Sequence, residues 1–135
     1  MHLYYRAIEI IRDAWWDFRK RCQRFKRGYA SADVWDIDQW FVETVKPMLI
    51  HLRTHGNTYP IEFSSRDEWC AVLDEMIKHI DLMDENSVLH FLGFVDDDCW
   101  RHMTIEDHKQ IREAMFENKN KFFELFSKYF YNLWD

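Results

Sequence analysis

Glycine and proline are scarce here, with three and two in 135 residues. Strand-rich folds need tight turns at short intervals, and those turns draw on both residues, so a β-sandwich or barrel is excluded. Cysteine is limited to Cys22, Cys70 and Cys99. An odd count without close spacing excludes a disulfide framework and reads as reduced thiols. The longest apolar run, VLHFLGFV, is interrupted by a histidine and falls well short of the roughly 20 residues that span a bilayer. Met1 leads into YYRAIEIIRDAWW, which is charged and periodic, unlike the apolar stretch of a secretory leader. A Gly-rich phosphate loop, a dinucleotide fingerprint, a Ser/His/Asp arrangement, internal repeats and low-complexity tracts are all missing.

What remains is an all-α pattern. Tyr4, Ile8, Ile11, Trp15, Phe18, Cys22 and Phe25 recur in alternating steps of four and three, which predicts a first helix over about 3–26 whose seam faces a partner helix. Gly28 follows as its C-terminal stop. A second helix is expected from Val34 to about Arg53, with Val34, Ile37, Phe41, Val45, Met48 and Leu52 inward. Pro47 inside it predicts a kink or a break near that residue. HGNTYPIEFSS reads as a loop, and Ser65 with Glu68 as a capping box opening a third helix to about Met83. Ser87 to Phe94 is expected as a short helix or loop insertion within 86–103, closed by Gly93 and followed by a loop at Asp96, Asp97 and Asp98. Thr104, with Asp107 three residues on, caps a last helix running nearly to the end. The expectation is a single-domain bundle, residues 1–135, of about four long helices.

Charge is unevenly placed. Residues 1–27 hold eight Lys/Arg and three acids, and residues 28–135 hold ten and twenty-one, so a segment of +5 precedes a body of −11. The basic block RKRCQRFKR ends the first helix, and RGYASADVWDID follows it. With Asp33 as N-cap and Asp36 at the third helical position, both acids suit the start of the second helix. Asp38 is left over; it is expected to pair with Arg24 or Arg27, or to face a cleft beside Trp35. Cations, an aromatic ring and an uncapped acid thus converge, and Arg24, Arg27, Trp35 and Asp38 form the candidate ligand-binding set. A nucleic-acid site is not expected, because Phe25 and its neighbours fall on the core seam.

A metal site is the competing reading. Asp74, Glu75, His79 and Asp81 share faces of the third helix, as ligands of a metal-dependent nucleotide phosphohydrolase on a helical bundle would. The Glu-x-x-His spacing of carboxylate-bridged centres is missing, however. Cys99 and His102 lack enough companions for zinc. No catalytic residue, resident metal or cofactor is therefore expected.

Three segments resemble one family. KRGYASADVWDIDQWF carries an Arg-Gly-aromatic step and then Asp-x-Trp-x-x-Asp. EWCAVLDEMIKHI, after Tyr59-Pro60, carries Trp-x-x-x-Leu-x-x-Met-Ile. The tail LFSKYFYNLWD carries Leu-Phe-x-Lys-Tyr-Phe-x-x-Leu-Trp. Together they are similar to a family of short, mostly uncharacterised proteins of tailed phages and prophages, from which residues 86–103 depart by being longer and more apolar. The resemblance implies a phage gene product at work in the cytoplasm of an infected bacterium. It flags Gly28, Asp33, Trp35, Asp38, Trp69 and Trp134 but carries over no catalytic residue. The expected function is a non-enzymatic, homo-oligomeric binding protein, such as a host-defence antagonist capturing a host protein or a small anionic ligand. No membrane partner is expected. A minor virion or assembly role, through the aromatic tail, is the third reading.

Overall fold

The computed structural model describes residues 2–94 and 98–134, with the side chains of residues 2–5 and of Cys99 outside that description. The elements are α1 (His2–Arg27), a 3₁₀ turn (Ser31–Val34), α2 (Ile37–His55), α3 (Arg66–Asp81), α4 (Glu85–Phe91), a 3₁₀ turn (Cys99–Arg101), α5 (Ile105–Lys128) and a last 3₁₀ turn (Phe130–Asn132). No strand occurs among the described residues. Four long helices and one short one match the expected class. The chain groups into two compact units, Met1–Trp40 and Phe41–Asp135.

In the second unit α3 is the buried helix. Trp69, Cys70, Leu73, Met76, His79 and Ile80 are all buried on it. Val42 and Leu49 of α2 and Phe122 of α5 complete this main core. Burying such side chains stabilises by about 1.5–3 kcal/mol each. A chain of rings extends the packing: Phe63, Trp69 and Tyr129 lie with centroids 5.3–5.6 Å apart. Phe41 meets Phe122 edge-on at 6.0 Å. Two ion pairs stitch α2 to α3 in antiparallel register, Lys46 to Asp81 and Arg53 to Asp74. Each step is seven residues along its helix, two turns. A smaller core of Val88, Leu89 and Ile111 joins α4 to α5.

Local chemistry sets the helix ends. Ser65 Oγ accepts the Glu68 N–H at 3.3 Å, and the Glu68 carboxylate accepts the Ser64 N–H at 2.9 Å. Thr104 and Asp107 form the full reciprocal box, at 3.2 and 2.7 Å. Those bonds hold the Asp107 carboxyl below its usual range, the backbone N–H of Thr104 contributing most. Asp84 caps α4 through the Ser87 N–H. Gly93, at φ 89°, ends it: the Phe94 N–H reaches the Leu89 carbonyl and the Gly93 N–H that of His90. This double bond pattern requires a left-handed residue between. The loop expected at Asp96 and Asp97 lies outside the described residues.

α2 runs through Pro47 as one helix, so of the kink or break expected there the break does not occur. One expectation is corrected. The α1 seam is not covered: Ile8, Ile11, Trp15, Phe18 and Phe25 are exposed, Phe25 at 93%. Periodicity reports an apolar face but not what lies against it.

One buried polar joint links α3 to α5. Asn118 donates to the Ala114 carbonyl at 2.8 Å, so its Oδ1 is left to accept from His79 Nδ1 at 2.8 Å. Asn118→Leu should therefore cost about 1–3 kcal/mol by orphaning a buried imidazole nitrogen. Phe122→Ala, at a fully buried ring, should cost about 3–5 kcal/mol. Thermal unfolding followed by circular dichroism reads both losses, and Phe25→Ala serves as the near-neutral control.

Candidate functional site

The segment RGYASADVWDID forms the corner of the first unit. Gly28 adopts φ 82° and its N–H caps the Arg24 carbonyl at 2.8 Å, reversing the chain at the end of α1. The last turns of α1 then hold the returning strand of backbone. Arg24 grips Asp33 through both guanidinium branches, Nε at 3.0 Å and Nη2 at 2.6 Å. Asp33 also accepts the Ala30 N–H at 2.7 Å. Arg27 donates to the Tyr29 carbonyl at 3.0 Å and to Ser31 Oγ at 2.6 Å, with its guanidinium 4.6 Å from the Tyr29 ring centre. Gln23 accepts the Ser31 N–H at 2.8 Å.

This clamp moves the start of the second helix. Asp33 is not its N-cap; it closes the 3₁₀ turn from inside, and Ala30 stands at the cap position. Held by Arg24, the chain enters α2 only at Ile37. Asp36 then accepts the first helical bond through its carbonyl, from the Trp40 N–H at 2.9 Å. Asp38 falls in the first turn of α2, where its charge suits the helix dipole. The acid that capping had left unexplained thus has a structural reason. The cations expected to pair with it are held by the turn instead. Trp35 and Asp38 are exposed, Trp35 at 89%.

The corner also contains an open hollow of about 290 Å³ lined by Tyr29, Asp33, Val34, Ile37 and Trp40. Its lining is apolar except for Asp33, whose charge is matched by Arg24. That volume is near the lower end for ligand sites and fits one aromatic ring or branched side chain. The sequence pointed to Arg24, Arg27, Trp35 and Asp38, which surround the turn, and offered Tyr29 only as a stacking ring; Val34, Ile37 and Trp40 were missed as lining. Val34 and Ile37 had been assigned inward by a helical period that the 3₁₀ turn interrupts.

The alternative metal set does not converge. Asp74 is held by Arg53 at 2.8 Å, and Asp81 by Lys46. Glu75 lies between Lys78 and His79, and His79 turns its other nitrogen to Asn118. Among the described residues, no three His, Cys, Asp or Glu side chains are placed to hold a metal ion. Cys22 and Cys70 are free thiols. Elsewhere an apolar groove of about 300 Å³ runs between Val45, Met48, Leu49 and Leu52 of α2 and Phe126, Phe130 and Leu133. No helix is long and apolar enough to cross a membrane among the described residues. No protein-family model, curated protein or solved structure matches this chain.

The Asp33 carboxyl is lowered from 3.8 to about 2, first by the Arg24 hydrogen bonds and then by the Ala30 N–H. A depressed carboxyl stabilises the folded corner above its unfolded value, and that contribution disappears as pH falls through about 2. Carbon-detected NMR titration should therefore place the Asp33 midpoint near 2, with the Ala30 amide shift following it. A midpoint near 3.8 would show that the clamp does not form in solution.

Proposed function

We propose that this chain is a non-enzymatic interaction protein, a phage gene product acting in the cytoplasm of an infected bacterium. It captures a host protein, or a small anionic ligand with a flat ring, at the corner between α1 and α2. The observation that carries this reading is the open hollow with Tyr29, Val34, Ile37 and Trp40 in its wall, next along the chain to the exposed Trp35. A hydrophobic anchor from the partner fills such a hollow, and Trp35 extends the contact. The Arg27 guanidinium, stacked on Tyr29, supplies the positive charge for an anion at the rim. A host-defence antagonist works by this kind of sequestration and needs no catalytic set.

A minor virion or assembly role is the second reading, favoured by the groove beside Phe126, Phe130 and Leu133. Phosphohydrolysis has no such support, since Asp74 and Asp81 are held by separate cations and His79 is turned to Asn118.

Native mass spectrometry of protein purified gently from bacterial cells tests the first reading and reports oligomeric state in the same spectrum. The expected result is an adduct or a protein partner that Ile37→Arg removes while the helical signal is unchanged. Arg27→Glu is a poorer probe, because Arg27 also holds the turn. Retention of the same species by Ile37→Arg would move the site elsewhere. Nucleotide turnover with manganese would replace the reading with an enzyme.

A further inference from the structure

We propose that α1 is an interfacial helix whose exposed face lies on an anionic phospholipid bilayer. The inference is independent of the corner hollow. At about 100° per residue, Ile8, Ile11, Trp15, Phe18, Cys22 and Phe25 fall on one stripe about 100° wide. Five of these are large apolar residues, and all five are exposed. Arg12, Arg19 and Lys26 run along one edge of the stripe and Arg21 lies beyond the other. The three acids of the helix, Glu9, Asp13 and Asp17, sit within about 50° of the opposite meridian. Arg12 reaches Asp13 only across an exposed 3.4 Å contact, and Arg19 lies 5.8 Å from the Trp16 ring centre.

This distribution selects the occupant. A flat anionic surface touches the stripe and its two edges, where this helix has four cations and no acid. The far side, left in water, carries all three acids together with Arg6, Lys20, Arg24 and Arg27. Of these cations, Lys20 faces Asp17, and Arg24 and Arg27 are engaged by the turn. Tryptophan and phenylalanine on the apolar face and arginine beside it are the composition of helices that lie in a membrane interface. A second copy of α1 is disfavoured by the same charges. In heptad terms the positions flanking the seam are Arg12, Arg19 and Lys26 on one side and Ala7, Ala14 and Arg21 on the other, so cations meet only cations or alanine. A nucleic acid would engage the cations but leave Ile8 and Ile11 in water. The absence of a membrane partner had been expected from span length, which an interfacial helix does not need.

Co-sedimentation of the full chain with vesicles is the test, using phosphatidylcholine alone and phosphatidylcholine mixed with phosphatidylglycerol. Retention is expected on the mixed vesicles at low salt, fading as salt rises and weak on the neutral ones. Ile11→Asp should abolish it, and the double variant Arg12→Glu/Arg19→Glu should reduce it about tenfold or more. Both changes are at exposed positions, and circular dichroism should show each variant folded. Ile37→Arg should leave retention unchanged, which separates this surface from the corner. Failure to bind the mixed vesicles, equal binding to both, or indifference to the charge reversal would overturn the proposal. So would a dimer, seen by light scattering, that Ile11→Asp dissociates without any lipid retention; the seam would then belong to a second copy.

Discussion

Burial of α3 is the constraint on which the second unit depends. It is a 16-residue helix with six buried side chains, whereas the longer α2 and α5 bury two each. Trp69, Leu73, Met76 and Ile80 form the surface on which the other helices of the main core register. Because Met76 and Ile80 are fully buried, close packing leaves little tolerance for a change of volume there. The ion pairs from Lys46 and Arg53 then set the antiparallel register of α2 along α3. They are half-exposed, so they select alignment more than they add stability.

The first unit is organised on a different principle. It has little buried apolar surface, and its corner is fixed by hydrogen bonds: a two-pronged Arg24–Asp33 pair, the Ala30 N–H on the same carboxylate, and Arg27 bridging Tyr29 and Ser31. Charge-assisted bonds of this kind hold geometry well. The result is a rigid turn that leaves aromatic and branched side chains facing outward. Exposure of large apolar groups on α1 and at the corner is the natural consequence.

Charge is distributed unevenly between the two units. The basic segment and the acidic body are separate along the chain, and they also fall largely into separate compact units. Acids in the body are distributed over helix faces and pair locally, as Glu117 does with Lys121 at 2.6 Å. Among the cations of α1, Arg24 is held closely by Asp33 at 2.6 Å, whereas Arg12 and Lys20 meet neighbouring acids at 3.4 and 3.9 Å.

The sequence by itself determined the helical class and most helix ends. Capping bonds span three or four residues, so Ser65 with Glu68, Thr104 with Asp107, Gly28 and Gly93 could be read without knowing the fold. Tertiary structure decided which apolar faces are covered. The patterns of α1 and α3 look alike as periodicity, yet α3 is enclosed and α1 is exposed, because coverage depends on contacts far along the chain. The start of α2 was likewise set from a distance, by Arg24 acting nine residues upstream of Asp33. The acids that had looked like metal ligands met cations 21 and 35 residues away. Local chemistry is legible because its partners lie within one turn; a site assembled by distant partners exists only once the chain has folded.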